Sequence, residues 1–277
     1  MKFTKWQGIG NDFVIVNGFE EKIADYASKA IAVCDRHFGI GADGLVFALP
    51  SDIADFRMRI FNSDGSEAEM CGNVTRCFAR YVYEAGLTNK TELAIETLAG
   101  IIRPKLLFEN GKVSAVRVDM GEPKLKRGLI PMTGDPEATA INELLTVGDE
   151  SYRFTGINMG NPHCVIFMDE VEDLDLKAVG QPIEIHPMFP RKTNVEFVKV
   201  IDRKTLRMRV WERGAGITLA CGTGTCATAV AAVLNGKTDR TVNVHLDGGD
   251  LLIECGEDNH VYKTGPAVEV FRGDYLD

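Results

Sequence analysis

An internal repeat at a spacing of 150 residues is the feature that most constrains how this chain can fold. Residues 55–72 read DFRMRIFNSDGSEAEMCG and residues 205–222 read TLRMRVWERGAGITLACG, and the two align without a gap. The same spacing places GNDFVIV, which starts at Gly10, over GNPHCVI, which starts at Gly160. Several matches at one offset indicate two copies of one structural unit.

The pattern of the strand candidates favours a sheet that is antiparallel or mixed. Several of them alternate apolar and polar residues and are joined by short turns, unlike the continuous apolar strands of a parallel doubly wound sheet. The candidates are DFVIVNG, DGLVFAL, DFRMRIFN, KVSAVRVDMG, HCVIFMD, NVEFVKVI, TLRMRVWE and TVNVHLDGGDLLIEC.

Two helix-like runs, each directly after a cysteine, predict the central helices. The runs cover 72–85 and 222–235, and each is followed by a glycine, Gly86 or Gly236, which is a common residue just past a helix. The second run is apolar nearly all round, so we expect it to be buried. Residues 20–36 and 173–180 are expected to form surface helices.

These patterns together predict an α+β protein of two similar domains related by a pseudo-twofold axis. Each domain is expected to be a mixed or antiparallel sheet wrapped around its central helix, with an active site in the cleft between the domains. The boundary is expected near residue 120. The N-terminal domain, 1–119, carries Cys71 and is completed by 265–277, and the C-terminal domain, 120–264, carries Cys221.

Composition and charge exclude several classes of partner. The chain has 277 residues and a net charge of −9, which argues against binding to a nucleic-acid backbone or to an anionic membrane. No apolar run reaches the roughly 18 residues of a membrane span, and the first residues lack a signal-peptide core. The seven cysteines are odd in number and scattered, so a disulfide scaffold is not expected and the location is predicted to be cytoplasmic.

A cysteine at the start of a helix has a specific chemical use. The first N–H groups of a helix have no internal partner and carry partial positive charge, so they can bind a carboxylate and favour a thiolate. In a pseudo-twofold pair, Cys71 and Cys221 could face one α-carbon from opposite sides. One sulfur would remove a proton and the other would return one, which inverts the carbon. This chemistry needs neither a pyridoxal cofactor nor a metal.

A cysteine can also be a core residue or a zinc ligand. A free cysteine is often a small core residue, and this is the interpretation for Cys34, Cys77, Cys164, Cys226 and Cys255. A zinc site is disfavoured, because the spacings C-x5-C and C-x4-C are not those of a zinc knuckle. GIGAD at 39–43 lacks the lysine of a phosphate-binding loop and is not assigned to one.

Seven segments together resemble the diaminopimelate epimerase family. They span nearly the whole chain: GIGNDF (8–13), GIGADG (39–44), FNSDGSEAEMCGN (61–73), NMGNPHCV (158–165), TNVEF (193–197), VWERGAGITLACGTGTCA (210–227) and TGPAVEV (264–270). Proline racemase-like enzymes carry a segment similar to ACGTGTCA, whereas ERGAG, NMGNPH and GNDF favour the epimerase.

The resemblance implies the function of an epimerase that interconverts LL- and meso-diaminopimelate without a cofactor, with diaminopimelate as its small-molecule partner. It implies Cys71 and Cys221 as acid and base, with His163 and Glu212 beside the reaction. The implied substrate contacts are Asn11 and Glu212 at the reacting amino group, Gly72, Asn73, Gly222 and Thr223 at the reacting carboxylate, and Asn62, Asn161, Asn194 and Arg213 at the distal end. Because many members of the family form a homodimer through the first domain and the C-terminal strand, the resemblance also implies a homodimer as a partner arrangement for this chain.

Two positions depart from the family pattern. Gly44 replaces a glutamine found near the substrate in some members, and CGNV replaces the more familiar CGNG, which places Val74 at the first helix start. Two other functions stay open on the sequence: a related amino-acid racemase of the same fold, and a thiol redox or metal-binding protein without turnover.

Overall fold

The chain forms two compact units in a computed structural model that describes residues 1–276. The first unit contains Met1–Asp119 together with the segment that begins at Thr264, and the second contains Met120–Lys263. The last residue of the predicted 265–277 completion, Asp277, lies outside the described residues. Among residues 1–276, no helix is long and apolar enough to span a membrane.

Helices are few and short in both units. The α-helices are α1 (Tyr26–Cys34), α2 (Gly72–Glu84), α3 (Leu176–Glu184) and α4 (Gly222–Leu234), and one 3₁₀ turn covers Arg127–Leu129.

Most of the regular secondary structure is β-structure. The strands are β1 (Lys2–Gly8), β2 (Asn11–Asn17), β3 (Gly44–Leu49), β4 (Phe56–Asn62), β5 (Glu67–Ala68), β6 (Ile95–Thr97), β7 (Gly100–Ile102), β8 (Lys105–Glu109), β9 (Lys112–Asp119), β10 (Glu143–Val147), β11 (Glu150–Asn158), β12 (Pro162–Phe167), β13 (Asn194–Asp202), β14 (Thr205–Glu212), β15 (Gly216–Ile217), β16 (Thr241–Leu246), β17 (Gly249–Cys255), β18 (Val261–Gly265) and β19 (Val268–Asp274).

The sheet of the first unit is mixed and has the order β19-β1-β2-β3-β4-β6-β7. Strands β2 and β3 pair in parallel, as do β4 and β6, and the neighbouring pairs are antiparallel. The final strand β19 pairs with β1, so the chain end completes this sheet. Helix α2 packs against β1, β2, β3, β8, β9 and β19 and is surrounded by strands.

The second unit repeats this architecture with the order β10-β11-β12-β13-β14-β16-β17. Its parallel pairs, β12–β13 and β14–β16, match those of the first unit. Helix α4 packs against β11, β12, β13, β14, β16 and β17, and its residues from Gly224 to Ala232 are buried. The predicted α+β architecture of two pseudosymmetric, sheet-rich domains is confirmed.

The structural repeat keeps the sequence offset of 150 residues through long stretches. Helix α2 maps onto α4 and helix α1 onto α3 with no change of length. The parallel pair Phe13–Gly44 in the first sheet maps onto His163–Asn194 in the second. Equivalent residues of the two units can therefore be compared directly, position by position.

The two surface helices differ from their predicted bounds because of their caps. Helix α1 begins at Tyr26 instead of residue 20, since the side chain of Asp25 accepts the N–H of Ser28. Helix α3 begins at Leu176 instead of residue 173, because Asp175 accepts the N–H groups of Lys177 and Ala178.

Several strands have no counterpart among the predicted candidates. Strands β1 (KFTKWQG) and β11 (ESYRFTGIN) contain many polar residues, and β8 (KLLFE) and β10 (ELLTV) are only 5 residues long. Each pairs along a neighbouring strand, so backbone pairing rather than an apolar pattern defines them. Cys255, predicted as a core residue, is only half-buried, whereas Cys34, Cys77, Cys164 and Cys226 are buried.

A close helix–strand contact in the second unit positions the end of β14. Helix α3 packs on β14, and a Cβ atom at Gly180 would lie 2.6 Å from Cβ of Trp211. The indole Nε1 of Trp211 donates a hydrogen bond of 2.7 Å to Glu184 on the same helix. Glycine at position 180 is therefore required by space, since its backbone is that of an ordinary helix.

We expect Gly180→Ala to lower the free energy of unfolding by about 1–3 kcal/mol through overpacking against Trp211. Alanine gains about 1 kcal/mol of helix propensity over glycine, which offsets only part of that cost. Urea denaturation followed by circular dichroism measures the effect. Lys177→Ala, an exposed change in the same helix, is the control and should stay within about 0.5 kcal/mol. A Gly180→Ala protein more stable than the native protein would contradict the packing argument.

Candidate functional site

Cys71 is the N-cap residue of helix α2 and has extended backbone angles. Its side chain makes no capping hydrogen bond to the helix, so the first N–H groups of α2 stay available to a ligand. The Sγ atom lies 3.9 Å from Oδ1 of Asn11, and Nδ2 of Asn73 lies 3.4 Å from the same oxygen. Three predicted site residues of the first unit therefore lie together.

Asn11 is held in place by a residue that the sequence patterns did not single out. The amide Nδ2 of Asn11 donates a short hydrogen bond to the carboxylate of Asp43, which also accepts the backbone N–H of Asp12. Arg36 pairs with Asp43 at 2.9 Å and with Asp12 at 2.8 Å. Asp43 belongs to the GIGAD segment. The glycines of this segment are similar to those of phosphate-binding loops, and the sequence pattern predicts no role for Asp43. Proximity to Asn11 arises from the parallel pairing of β2 and β3.

Cys221 occupies the equivalent N-cap of helix α4, but its surroundings differ. The thiol is 4% exposed, and its Sγ accepts the N–H of Gly224 at 3.4 Å. Sγ also lies 3.6 Å from Oγ1 of Thr223. The helix start therefore contacts the sulfur directly in this unit.

Burial nevertheless raises the pKa of Cys221 well above its ordinary value. The carboxylates of Glu212 and Glu196 raise the pKa further, whereas the contacts with Thr223 and the N–H of Gly224 lower it by less. From the sequence, the helix start is expected to lower the pKa of this thiol. That expectation is wrong, because the sum of all contributions raises the pKa. The reason is that desolvation of the thiolate and two neighbouring acids outweigh the helix end.

His163 lies next to Cys221 and is fully buried on β12. Its Nδ1 is 2.7 Å from Oε1 of Glu196, and its Nε2 is 2.9 Å from Oδ1 of Asn161. The parallel pairing of β12 with β13 brings His163 and Glu196 together. Glu196 was missed as a site residue because a single glutamate inside the strand NVEFVKVI reads as an ordinary exposed strand position.

The donor atoms of His163, Glu196 and Cys221 lie within 4.8 Å of one another, as those of a metal site could. Within this group, Nδ1 of His163 and Oε1 of Glu196 are hydrogen-bonded to each other, whereas Sγ of Cys221 contacts Thr223 and Gly224. We describe the three residues as a buried cluster. Its neighbour Glu212 is half-buried at the end of β14 and accepts a hydrogen bond from Thr218.

The turn after β14 carries Arg213, whose side chain is exposed. The backbone N–H of Arg213 donates to Oδ1 of Asn194 at 2.8 Å, and Nδ2 of Asn194 donates to the carbonyl of Pro162 at 3.0 Å. Asn194 is buried, and both polar atoms of its side chain are engaged within the protein. This residue therefore supports the Arg213 turn, and its contact with the distal end of a substrate stays a prediction.

The remaining predicted residues differ in exposure: Gly72 is buried, Gly222 and Thr223 are half-buried, and Asn62 is exposed. Asn62 is exposed at the end of β4, where its Nδ2 donates to Oγ of Ser66 at 2.9 Å. Gly72 lies in the first turn of α2, and Gly222 and Thr223 lie in the first turn of α4. The predicted residues thus form two groups, each within its own unit. The first-unit group is Asn11, Asn62, Cys71, Gly72 and Asn73, and the second-unit group is Asn161, His163, Asn194, Glu212, Arg213, Cys221, Gly222 and Thr223.

The two departures from the family pattern have structural counterparts. A Cβ atom at Gly44 would lie 2.9 Å from the carbonyl oxygen of Phe61, so the strand pair is tighter there than a larger residue allows. Val74 is fully buried in the first turn of α2.

Comparison with known proteins matches the whole chain to one family. The family model described as diaminopimelate epimerase matches residues 3–126 and 155–270. The diaminopimelate epimerase of Moorella thermoacetica is 59% identical over 279 residues, with 99% of each chain covered. That of Methanococcus maripaludis is 54% identical over 275 residues, with 99% of each chain covered.

Solved structures with the same fold are more distant in sequence. A phenazine biosynthesis protein of the PhzF family from Bacillus anthracis has a TM-score of 0.69 at 18% identity and covers 100% of this chain and 99% of its own. A hydroxyproline epimerase from Agrobacterium vitis, with bound trans-4-hydroxy-L-proline, has a TM-score of 0.66 at 15% identity and covers 100% and 93%. At these identities the likeness shows the fold, whereas the sequence matches show that the chain belongs to the diaminopimelate epimerase family.

Proposed function

We propose that this chain is an isomerase that interconverts LL- and meso-2,6-diaminopimelate by two-cysteine proton transfer at the α-carbon. The reaction serves the synthesis of lysine and of peptidoglycan precursors, as its family membership implies. The observation that carries the proposal is the placement of Cys71 and Cys221 as N-cap residues at repeat-equivalent positions. Two equivalent acid/base groups suit a reaction whose forward and reverse directions differ only in the face of one carbon.

The proton transfer balances between the two sulfurs. One cysteine, as thiolate, takes the α-proton, and the electron pair of the C–H bond stays on the α-carbon next to the carboxylate. The other cysteine, as thiol, gives its proton to the opposite face. The carbon is then inverted, and the thiol and thiolate have exchanged places, which prepares the reverse reaction.

Backbone N–H groups at the helix starts support this step by binding the reacting carboxylate. The first turns contain Gly72 and Asn73 in α2 and Gly222 and Thr223 in α4, and short side chains at these positions let an anion approach the backbone. Charge that develops when the α-proton leaves is stabilised by donors already in place.

The other polar residues orient the two ends of the substrate. Asn11, held by Asp43, and Glu212, held by Thr218, are assigned to the reacting amino group. Arg213 is assigned to the distal carboxylate, because its fork of donors matches a carboxylate and its turn is fixed by Asn194. Asn62 and Asn161 complete this end. His163 is assigned to proton transfer beside the thiols. The cytoplasmic location and the homodimer stay predictions.

Replacing Cys71 or Cys221 with alanine should each reduce epimerisation by about 10²- to 10⁴-fold or more, because each removes one of the two proton carriers. The measurement is interconversion of the two stereoisomers, with circular dichroism to verify folding. Cys34→Ala is the control, since Cys34 is the last residue of α1 and lies in the core of the first unit. Near-normal turnover in either variant would rule out the two-cysteine mechanism.

Replacing Arg213 with alanine should raise KM for diaminopimelate by about tenfold or more, because hydrogen bonds to a charged group typically contribute about 1.5–3 kcal/mol. Short monocarboxylic amino acids should lose little, and their α-hydrogen exchange in deuterated water gives the comparison. Arg191→Ala is a matched control, since this neighbouring exposed arginine contacts Arg213 through its backbone carbonyl alone. An equal loss for both substrate classes would favour a racemase that does not read a distal carboxylate.

A further inference from the structure

The carboxylate of Glu196 is buried deep in the second unit without an obvious structural reason. Its side chain is 0% exposed, and its Oε1 lies 2.7 Å from Nδ1 of His163. The other oxygen, Oε2, has no hydrogen-bond partner within residues 1–276. A buried acid with a free oxygen is costly, so a role beyond folding is expected to maintain it.

Gly224 makes the room that this carboxylate occupies. A Cβ atom at position 224 would lie 2.5 Å from Oε1 of Glu196 and 3.2 Å from Sγ of Cys221. Glycine inside a helix costs about 1 kcal/mol relative to alanine. The first turn of α4 therefore has a residue of low helix propensity, Gly224, at the position that both the carboxylate and the sulfur approach.

The internal repeat supplies a comparison within the same chain. At the spacing of 150 residues, His163 corresponds to Phe13, Glu196 to Val46 and Gly224 to Val74. The strand pairing agrees, because β2 and β3 have the same parallel register as β12 and β13. All three residues of the first unit are apolar and buried.

One half of the repeat therefore fills this space with hydrocarbon and the other fills it with an ionisable pair. Common packing needs cannot explain the pair, since Phe13, Val46 and Val74 satisfy them in the first unit. The ionisable pair lies within 4.8 Å of Sγ of Cys221. The surroundings of Cys221 therefore differ from those of Cys71.

The charged and titratable groups that face Cys221 come from three strands. They are His163 on β12, Glu196 on β13 and Glu212 on β14. The negative charges of Glu212 and Glu196 act with burial to raise the pKa of the thiol. Burial also raises the pKa of Glu196 itself, whereas His163 opposes this by favouring the charged carboxylate.

We propose that Glu196 is a positioning residue that anchors Nδ1 of His163 and keeps Cys221 as the thiol of the resting enzyme, which leaves Cys71 as the resting base. The role rests on the proposed function. In one direction of the reaction, Cys71 takes the α-proton and Cys221 gives its own to the opposite face. The product complex then has the proton on Cys71, and exchange with water restores the resting form.

Alkylation of the two cysteines as a function of pH, in the enzyme without substrate, tests the proposal. Iodoacetamide labelling over about pH 6 to 10, a range that brackets ordinary thiols, is followed by peptide mapping of Cys71 and Cys221. In the native enzyme the Cys221 curve should lie at higher pH than that of Cys71. Glu196→Gln removes a negative charge, so it should move the Cys221 curve to lower pH and speed its labelling several-fold at a fixed pH below the midpoint.

Two further variants keep the test decisive. Glu196→Val introduces the side chain that the first unit holds at the equivalent position, and it should move the Cys221 curve in the same direction if Glu196→Gln does not fold. Glu143→Gln is the matched control, since it removes an acid paired with Arg127 on the distant strand β10, and it should move neither curve. An unmoved Cys221 curve in the Glu196 variants overturns the proposal, as does a shift of both cysteines together.

Kinetics separate positioning from folding and separate this proposal from the function on which it rests. Loss of the anchor should lower kcat in Glu196→Val on the order of tenfold to a hundredfold with little change in KM, and Glu196→Gln, which keeps an acceptor for His163, should restore much of it. Equal kcat in the two variants contradicts the anchoring role. If the native enzyme does not exchange the α-hydrogen of diaminopimelate, the proposed function fails, while the alkylation curves still decide the role of Glu196.

Discussion

Unpaired backbone N–H groups at the start of a helix are the constraint on which both groups of predicted site residues depend. Each central helix begins immediately after a cysteine in extended conformation, at the end of a strand-and-turn segment. The helix axis is fixed by strands that surround it, so the orphan donors have a defined direction. In the proposed reaction, a carboxylate bound there needs no charged side chain, and the N-cap residue is the one that reaches its α-carbon.

Pseudosymmetry provides two such helix starts, and local differences make them unequal. Cys71 makes no capping hydrogen bond and contacts the amide of Asn11, whereas Cys221 is buried, accepts the N–H of Gly224 and has acidic neighbours. Reversible inversion of one carbon needs two similar groups, but at any moment one must hold a proton and the other must not. In the proposed reaction, the divergence of the two repeats would supply that difference without a change of fold.

The polar residues assigned to the substrate are held in place by contacts with other polar side chains of the same unit. Asp43 holds Asn11, Asn194 holds the backbone of Arg213, and the Trp211 indole bonded to Glu184 fixes the end of β14. These supporting residues lie one contact away from the groups assigned to substrate. They constrain rotamers and turns, which lets short polar side chains act in fixed directions.

The amino-acid sequence alone determined the repeat, the two central helices, and the equivalent positions of Cys71 and Cys221 in the two repeats. These features depend on local pattern and on matched spacing. It also determined the family, since the matching segments extend along most of the chain. Tertiary structure decided the polar strands such as β1, which are defined by pairing, and the helix starts set by Asp25 and Asp175. It also decided the environment of each sulfur.

Glu196 and Asp43 are distant in sequence from the cysteines and come close to the predicted site residues through parallel strand pairing. Burial then reverses the effect of the helix start on Cys221, because desolvation depends on packing from several strands that no local pattern encodes.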